Sequence, residues 1–233
     1  MRVLILGNGL LGQELASQSG WDVISRKVDG LEFTDEQTYI NKVGDYDVIV
    51  NCIACTKTYS TDFSEHWTTN VTALNKLIDV CNRLEKKLVH ISTDYVYAQS
   101  KNKASELDDP VPLNTWYGYT KLVGDVLVQA VSKNYLICRL SHKPNPFPYE
   151  SAWVDMRTSG DYVDVISDYI IKLIKHNASG IYNVGTEDKS MYELAIRTNN
   201  NVKKTNKPSH VPENTTMDLT KLYKFLKTID NNL

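Results

Sequence analysis

The chain has 233 residues, of which 42% are hydrophobic and 23% charged, and its formal net charge is −2. A near-neutral charge gives no general attraction to nucleic acid or to anionic membranes, and no apolar run approaches the ~18 residues that span a bilayer. These values indicate a cytoplasmic globular protein, with neither nucleic acid nor a membrane as partner.

The first 140 residues alternate between short apolar runs, typical of strands buried on both faces, and helical patterns. Strands are predicted at 2–6, 21–25, 46–54, 87–92 and 135–140, and helices at 10–18, 34–43, 64–84 and 115–132. This alternation predicts an α/β fold: a doubly wound, Rossmann-like parallel sheet with right-handed crossovers.

The pattern changes after Leu140. A proline-rich loop is followed by a predicted helix at 161–176, a strand at 180–185 and helices at 191–197 and 219–227. This tail is too short for a core of its own. We therefore expect a main domain at 1–140 and an abbreviated region at 141–233 that packs on it as one structural unit.

A glycine motif, Gly7-x-Gly9-x-x-Gly12, follows the first strand and begins a helix. The first glycine allows a tight turn, the second lets the backbone approach a pyrophosphate, and the third lets helix and strand pack closely. The helix N-terminus, at Leu10 and Leu11, offers free N–H groups to phosphates. The motif predicts dinucleotide binding.

The second strand ends with Ser25, Arg26 and Lys27. Sites that prefer NAD usually carry a carboxylate here, which accepts from the ribose 2′-hydroxyl. Basic side chains suit a 2′-phosphate instead, so the sequence favours NADP(H) over NAD(H). The alternative is that Arg26 is a solvated loop residue.

Cys52 and Cys55 form a C-x-x-C motif. A zinc site needs about four ligands, and no second Cys or His pair has a suitable spacing, so no metal is predicted. Two interpretations stay open: a redox dithiol, or two small buried residues in a reducing compartment.

Three tyrosines are followed by lysine at the fourth position: Tyr97/Lys101, Tyr117/Lys121 and Tyr223/Lys227. Only the second pair follows a strand that ends in two hydroxyl residues, Ser92 and Thr93. Ligands of wound α/β sheets bind outside the carboxyl ends of the strands. The Tyr117/Lys121 pair is therefore the candidate catalytic pair.

With the glycine motif, "NCIA", "STDYVY" and "YGYTK", the chain resembles the extended short-chain dehydrogenase/reductases. It is most similar to the dTDP-4-dehydrorhamnose reductase-like sugar-nucleotide family. The likeness covers most of residues 1–140 and patches of 155–190. It implies that 1–140 is an NAD(P)-binding Rossmann domain and that 141–233 binds substrate.

The resemblance also implies catalytic roles. Tyr117 would donate a proton to the substrate carbonyl oxygen as hydride arrives at carbon. Lys121 would lower the pKa of the phenol. Tyr117 and Lys121 would both also contact the cofactor, Lys121 through the nicotinamide ribose. Thr93 would orient the substrate oxygen, and Asp94 would either contact substrate or turn the chain.

Further residues match the family's binding segments. Cys52, Ile53 and Ala54 would lie along the cofactor, and Asn70 and Ser92 are cofactor candidates with a structural role as the alternative. Trp153 and Arg157 are candidates for the wall of the sugar site.

The segment after the fifth strand is shorter than in the family, which leaves the sugar and the nucleotide open. The leading hypothesis is NADPH-dependent reduction of a 4-keto-6-deoxy sugar nucleotide, in a possible homodimer. One alternative is an epimerase or dehydratase; Tyr95, where such dehydratases place an acid, favours reduction. Another is a non-catalytic, cofactor-bound regulatory subunit, similar to the beta subunit of methionine adenosyltransferase.

Overall fold

A computed structural model describes residues 1–230. Its strands are β1 (Val3–Leu6), β2 (Asp22–Ile24), β3 (Val48–Asn51), β4 (Lys87–Thr93), β5 (Tyr135–Leu140), β6 (His142–Lys143), β7 (Ser151–Trp153), β8 (Arg157–Thr158), β9 (Asp161–Tyr162), β10 (Gly180–Val184), β11 (Lys189–Ser190), β12 (Lys203–Thr205) and β13 (Asn214–Thr215). Its α-helices are α1 (Leu10–Ser19), α2 (Arg26–Asp29), α3 (Ile40–Gly44), α4 (Phe63–Trp67), α5 (Leu74–Arg83), α6 (Trp116–Val131), α7 (Val163–Lys175), α8 (Met191–Ala195) and α9 (Thr220–Asp230).

The principal sheet has six strands in the order β10-β5-β4-β3-β1-β2. The pairs β1/β2, β1/β3 and β3/β4 are parallel, which confirms the predicted wound parallel fold. The strand order reverses between β1 and β3. In such sheets the crevice beyond the carboxyl ends of the strands at this point is the usual place for a ligand.

The chain divides into two compact units. The first comprises Met1–Ser92, Asn114–Cys138 and Asn177–Ile181; the second comprises Thr93–Leu113, Arg139–His176 and the chain from Tyr182 onward. Because both units draw on distant parts of the chain, the division at residue 140 stays a prediction.

In the core of the first unit, α5 packs its apolar face on the sheet. The apolar face of α5, with Leu74, Leu77 and Ile78, is fully buried in one cluster with Leu4 of β1 and Leu88 of β4. This face has the helical spacing that predicts a helix packed on the sheet.

The second unit has small sheets and its own apolar cluster. The order β11-β8-β13 forms one sheet, while β12/β7 and β6/β9 form pairs. Its cluster includes Phe147, Met156, Tyr162 and Leu194. The sequence did not predict these strands, because two or three residues are too few to show an alternating pattern.

Two predicted helices differ from the structure. At 34–43 a 3-10 turn (Glu36–Thr38) precedes α3, because Tyr39 leaves helical geometry with φ −134° and buries its ring in the core. The helix predicted at 64–84 is interrupted by a π-helical segment, Thr68–Ala73. Within residues 1–230, no helix is long and apolar enough to cross a membrane.

Candidate active site

The glycine turn joins β1 to α1 in a geometry that other residues would disturb. Gly7 has φ +103°, and a Cβ there would lie 2.9 Å from the Ile53 side chain. A Cβ on Gly12 would lie 1.9 Å from the carbonyl oxygen of Gly7, so α1 packs directly against the turn. These are the roles that the motif predicts for its first and third glycines.

Gly9 lies before the first residue of α1 and is open. A Cβ built on it meets no protein atom within 4 Å, and no side chain caps the helix. The exposed Leu10 and buried Leu11 begin the helix, and its first turn carries no acidic residue. A bare backbone at a helix N-terminus fits the pyrophosphate of a dinucleotide.

Ser25 and Arg26, which follow β2, each contact a neighbouring group. The Ser25 side chain caps α2 by accepting from the N–H of Val28. The Arg26 guanidinium, 74% exposed, lies 2.8 Å from the Glu32 carboxylate, and this contact lowers the pKa of Glu32. The ion pair is exposed and therefore weak, so it leaves the guanidinium accessible to another anion.

The segment after β3 lies beside the glycine turn. The backbone of Cys52 is 3.4 Å from a Cβ position on Gly7, and the Cys52 N–H donates to the Leu6 carbonyl. Asn51 Oδ1 accepts from the N–H of Ile53, which shapes the segment that continues to the half-buried Ala54. The structure thus brings together two of the predicted cofactor elements.

The two cysteines of the C-x-x-C motif are free thiols. Burial raises the pKa of Cys52 to about 12 and raises that of Cys55 as well. A redox dithiol needs a lowered thiol pKa, so the structure favours the interpretation as small packed residues. Among the described residues, no three His, Cys, Asp or Glu side chains are placed to hold a metal ion.

Asn70 lies in the π-helical segment and hydrogen-bonds to the backbone at the end of the Cys52–Cys55 segment. We call this the cofactor segment, because its residues 52–54 are predicted to lie along the cofactor. Asn70 Oδ1 accepts from the Cys55 N–H at 2.8 Å, and its Nδ2 donates to the Cys55 carbonyl and to Thr120 Oγ1 at 3.3 and 3.0 Å. These three hydrogen bonds hold the Cys55 backbone and Thr120 together, and the role of Asn70 at the cofactor stays a prediction. π-Helical segments often occur at functional sites.

The candidate catalytic pair lies in the first turns of α6. Thr115 caps the helix by accepting from the Gly118 N–H at 3.1 Å, which fixes where the helix begins. Tyr117 is half-buried and its ring lies 6.4 Å from that of His66. Lys121 follows one turn later and donates to the Ile91 carbonyl of β4 at 2.7 Å.

Lys121 is almost fully buried. Desolvation lowers the pKa of its ammonium to about 8, while the nearby charge of Asp125 opposes that shift. Its Nζ also lies 3.4 Å from His90 Nε2. Neither neighbour was predicted from the sequence. Asp125 had a detectable signal, because it follows Lys121 by four residues on the same helix face; His90 had none.

Ser92 and Thr93 are the last residues of β4 and both are buried. Within residues 1–230, Ser92 Oγ has no hydrogen-bond partner. Thr93 Oγ1 accepts from the Tyr95 N–H at 3.2 Å and lies 3.3 Å from Asp94 Oδ1, to which it donates. Burial raises the pKa of Asp94 to about 6, partly offset by hydrogen bonds from Thr215 and Thr93.

The two candidates for the sugar site lie in the second unit. Trp153 ends β7 and packs against the second apolar cluster. Arg157 in β8 pairs with Asp188 at 2.7 Å and with Glu193 at 3.1 Å. It also lines a polar cavity of about 490 Å³ together with Asp155 and Glu213.

A wound parallel sheet, a glycine-rich first turn and a Tyr-x-x-x-Lys pair on the helix after β4 define the class of short-chain dehydrogenase/reductases. The family model described as RmlD substrate binding domain matches residues 1–142. The chain belongs to this family, which confirms the resemblance seen in the sequence.

Individual relatives agree with the family. A dTDP-4-dehydrorhamnose reductase from Mycolicibacterium smegmatis is 33% identical over 161 residues, which are 66% of this chain and 46% of the relative. The spore coat polysaccharide biosynthesis protein SpsK of Bacillus subtilis is 29% identical over 221 residues, 83% of this chain and 77% of the relative. The chain thus spans less than half of the first relative's length.

A solved structure has the same fold along nearly the whole chain. The crystal structure of a hypothetical dTDP-4-dehydrorhamnose reductase from Sulfolobus tokodaii superposes with a TM-score of 0.81 at 25% identity. The match covers 96% of this chain and 94% of that chain. The Rossmann-like architecture predicted from the sequence is therefore confirmed.

Proposed function

We propose that the protein is an NADPH-dependent reductase of a 4-keto-6-deoxy sugar nucleotide. Family membership and the names of the reductase relatives support this proposal. The observation that carries it is the buried ammonium of Lys121, held by the Ile91 carbonyl one helical turn after Tyr117. A buried ion loses its hydration, which costs free energy. Ionisable groups held in such an environment are concentrated at functional sites, where they act on a neighbouring group.

The bound nicotinamide supplies the hydride. Tyr117 donates the proton that the carbonyl oxygen gains when the hydride reaches the carbon. A free phenol, with a pKa of about 10, gives up its proton slowly near neutral pH. The Lys121 charge favours the phenolate and so lowers that pKa. Thr93 orients the substrate oxygen, for which its hydroxyl proton turns from Asp94 to that oxygen.

The glycine turn and the Cys52–Cys55 segment bind the dinucleotide. The backbone at Gly9 is open and would hold the pyrophosphate, and Arg26 would hold the 2′-phosphate that distinguishes NADP(H) from NAD(H). Trp153 and Arg157 contribute to the sugar-nucleotide site. The sugar and the base that bind there are not specified, because the segment after β5 is shorter than in the family.

The test mixes purified protein with NADPH and a panel of dTDP-, UDP- and GDP-linked 4-keto-6-deoxy sugars. Oxidation of NADPH, followed by the loss of its absorbance, is expected with at least one substrate. Failure across the whole panel would count against the reductase. If the inactive protein also captured a stoichiometric partner, the regulatory-subunit alternative would replace it.

One observation favours an epimerase or dehydratase as the second candidate. Asp94 follows Thr93 directly, and burial raises its pKa to about 6, which suits a group that exchanges a proton near neutral pH. Enzymes of this kind keep their nicotinamide and regenerate it. Nicotinamide that stays bound through purification, together with isomerised or dehydrated product and no net NADPH oxidation, would support this candidate.

A further inference from the structure

Four buried side chains of the first unit form a polar cluster around the amine of Lys121. We name it the Lys121 cluster; its other members are His90 on β4, Asp125 on α6 and Asn51 at the end of β3. His90 Nε2 lies 3.4 Å from Lys121 Nζ and 3.8 Å from Asp125 Oδ1. His90 Nδ1 lies 3.5 Å from Asn51 Nδ2.

These groups are buried, so their charges strongly affect the free energy of the folded state. Lys121, His90 and Asp125 are 3%, 2% and 0% exposed. A buried charge without an opposite charge is costly, whereas a buried pair is tolerated. The arrangement therefore requires that the ammonium and the carboxylate be present together.

Gly124 lies on the same face of α6 as the cluster. A Cβ there would lie 3.0 Å from the Leu74 side chain and 3.1 Å from the Asn70 carbonyl oxygen, both tight contacts, and 3.6 Å from His90 Nε2, an ordinary contact. The absence of a side chain therefore lets α6 pack closely on the helix segment that carries Asn70 and Leu74, beside His90.

The imidazole of His90 lies between the amine of Lys121 and the amide of Asn51. Asn51 Oδ1 accepts from the Ile53 N–H, so its Nδ2 faces the imidazole at 3.5 Å from Nδ1. On the other side of the ring, Nε2 faces Lys121 Nζ at 3.4 Å. Burial and the Lys121 charge hold the pKa of His90 well below its usual value, so the ring is neutral.

We propose that Asp125 is the counter-charge that keeps Lys121 protonated, and that His90 and Asn51 are positioning residues that tie the amine to the cofactor segment. The tie runs from the Ile53 N–H through Asn51 and His90 to Lys121 Nζ, while Asp125 Oδ1 lies 3.8 Å from His90 Nε2. As a statement about catalysis it rests on the proposed function; as a statement about the charge of Lys121 it does not.

The electrostatics give the direction of the effect. Desolvation lowers the pKa of Lys121 to about 8, and the Asp125 charge raises it. Two other ionisable groups lie near the amine and carry no charge. His90 is neutral, and Cys52, with a pKa of about 12, is a thiol. Tyr117 lies one helical turn before Lys121. Removing the Asp125 charge should therefore lower the pKa of Lys121 further.

The experiment follows the ionisation of Lys121 by NMR in protein carrying isotope-labelled lysine. The Lys121→Arg variant identifies the signal, because it lacks that lysine. In the wild type the signal is expected to titrate near pH 8. In Asp125→Asn the titration should shift to lower pH by about one unit or more, and the exposed Asp79→Asn variant on α5 should leave it unchanged.

A measurement on the wild type guards against misfolding of Asp125→Asn. The 15N shifts of His90 should show a neutral ring throughout pH 6–8. A charged ring, or an unchanged Lys121 titration in folded Asp125→Asn, would overturn the proposal.

Enzyme kinetics then separate this proposal from the function. If the protein reduces a sugar nucleotide, the Lys121-dependent limb of its pH–rate profile should move to lower pH in Asp125→Asn by the same amount as the NMR titration. A shifted titration without any turnover upholds the cluster and rejects the reductase. Turnover with an unshifted titration does the opposite.

Discussion

Tyr117 is the residue on which the proposed chemistry depends most directly. General acids contribute about 10²- to 10⁴-fold to turnover, so Tyr117→Phe is expected to lower kcat by about that factor. NADPH affinity should change little, because the phenol is proposed to act on the substrate oxygen. The measurement is NADPH oxidation for kcat and cofactor fluorescence for Kd.

Tyr119→Phe is the matched control for that change. Tyr119 is exposed on the same helix and its hydroxyl donates to Asn114 Oδ1 at 3.1 Å. This variant should keep wild-type turnover. Equal activity in the two variants would remove Tyr117 from the mechanism.

Asp94 should make the free energy of unfolding depend measurably on pH. Its pKa rises from 3.8 to about 6 on folding, so the folded state binds the proton more tightly. Between these pH values the folded state carries more protons than the unfolded one, and stability must fall as pH rises. The shift corresponds to about 3 kcal/mol at 1.36 kcal/mol per pH unit.

The comparison that isolates this effect is wild type against Asp94→Asn in urea unfolding from pH 4 to 7. His142, whose pKa is lowered to about 4, acts in the opposite direction over the same range but is present in both proteins. The stability of wild type relative to the variant should therefore decline towards pH 6 and then level off. A flat Asp94→Asn curve would contradict the raised pKa of Asp94.

At the level of elements, the glycine turn allows packing and cofactor binding to be separated. Gly12→Ala places a Cβ against the Gly7 carbonyl and should destabilise the protein by about 1–3 kcal/mol. Gly9→Ala meets open space at φ −81°, which suits alanine, and should change the free energy of unfolding by less than about 1 kcal/mol.

NADPH binding gives the decisive contrast between the two glycine variants. If the pyrophosphate lies over Gly9, the added methyl group should weaken NADPH at least about tenfold, roughly 1.4 kcal/mol. Urea unfolding and NADPH titration of both variants test this. Wild-type NADPH affinity in Gly9→Ala would place the phosphates elsewhere.

The wound half of the fold could be predicted because its signals are long and regular. The run at β1 is continuous and apolar, β4 is buried along nearly its whole length, and α5 shows a clear apolar face. The interruption at Thr68–Ala73 could not be predicted, since no glycine or proline marks it. The short strands of the second unit depend on tertiary pairing and carry no local pattern.

The candidate site was predictable where chemistry fixes both residue type and spacing. The glycines and the Tyr117/Lys121 pair meet that condition. His90 does not, because its relation to Lys121 arises only when β4 and α6 come together. For Arg157 the residue type alone was misleading. An arginine suits a phosphate or a sugar, but here it pairs with two carboxylates, and its position in the sequence could not reveal those partners.

For the whole molecule, cofactor binding should appear as added thermal stability. A ligand that binds only the folded state at about 100 times its Kd adds about 2.7 kcal/mol. For a chain of this size each kcal/mol raises Tm by about 2–4 °C, so saturating NADPH should raise Tm by about 5–10 °C. At the same concentration NADH should give a smaller rise, because it lacks the 2′-phosphate that Arg26 is proposed to bind.

Variants of the exposed ion pair after β2 make this prediction specific. Arg26→Ala should reduce the NADPH shift to that of NADH, since the guanidinium is lost. Glu32→Gln should increase the NADPH shift, because it removes the carboxylate that lies 2.8 Å from Arg26 and competes with the phosphate. Arg83→Ala, which removes another exposed arginine paired with a glutamate, Glu36, is the control and should leave both shifts unchanged. Equal NADPH and NADH shifts in the wild type would mean that Arg26 is a solvated loop residue and that the protein does not select NADP(H).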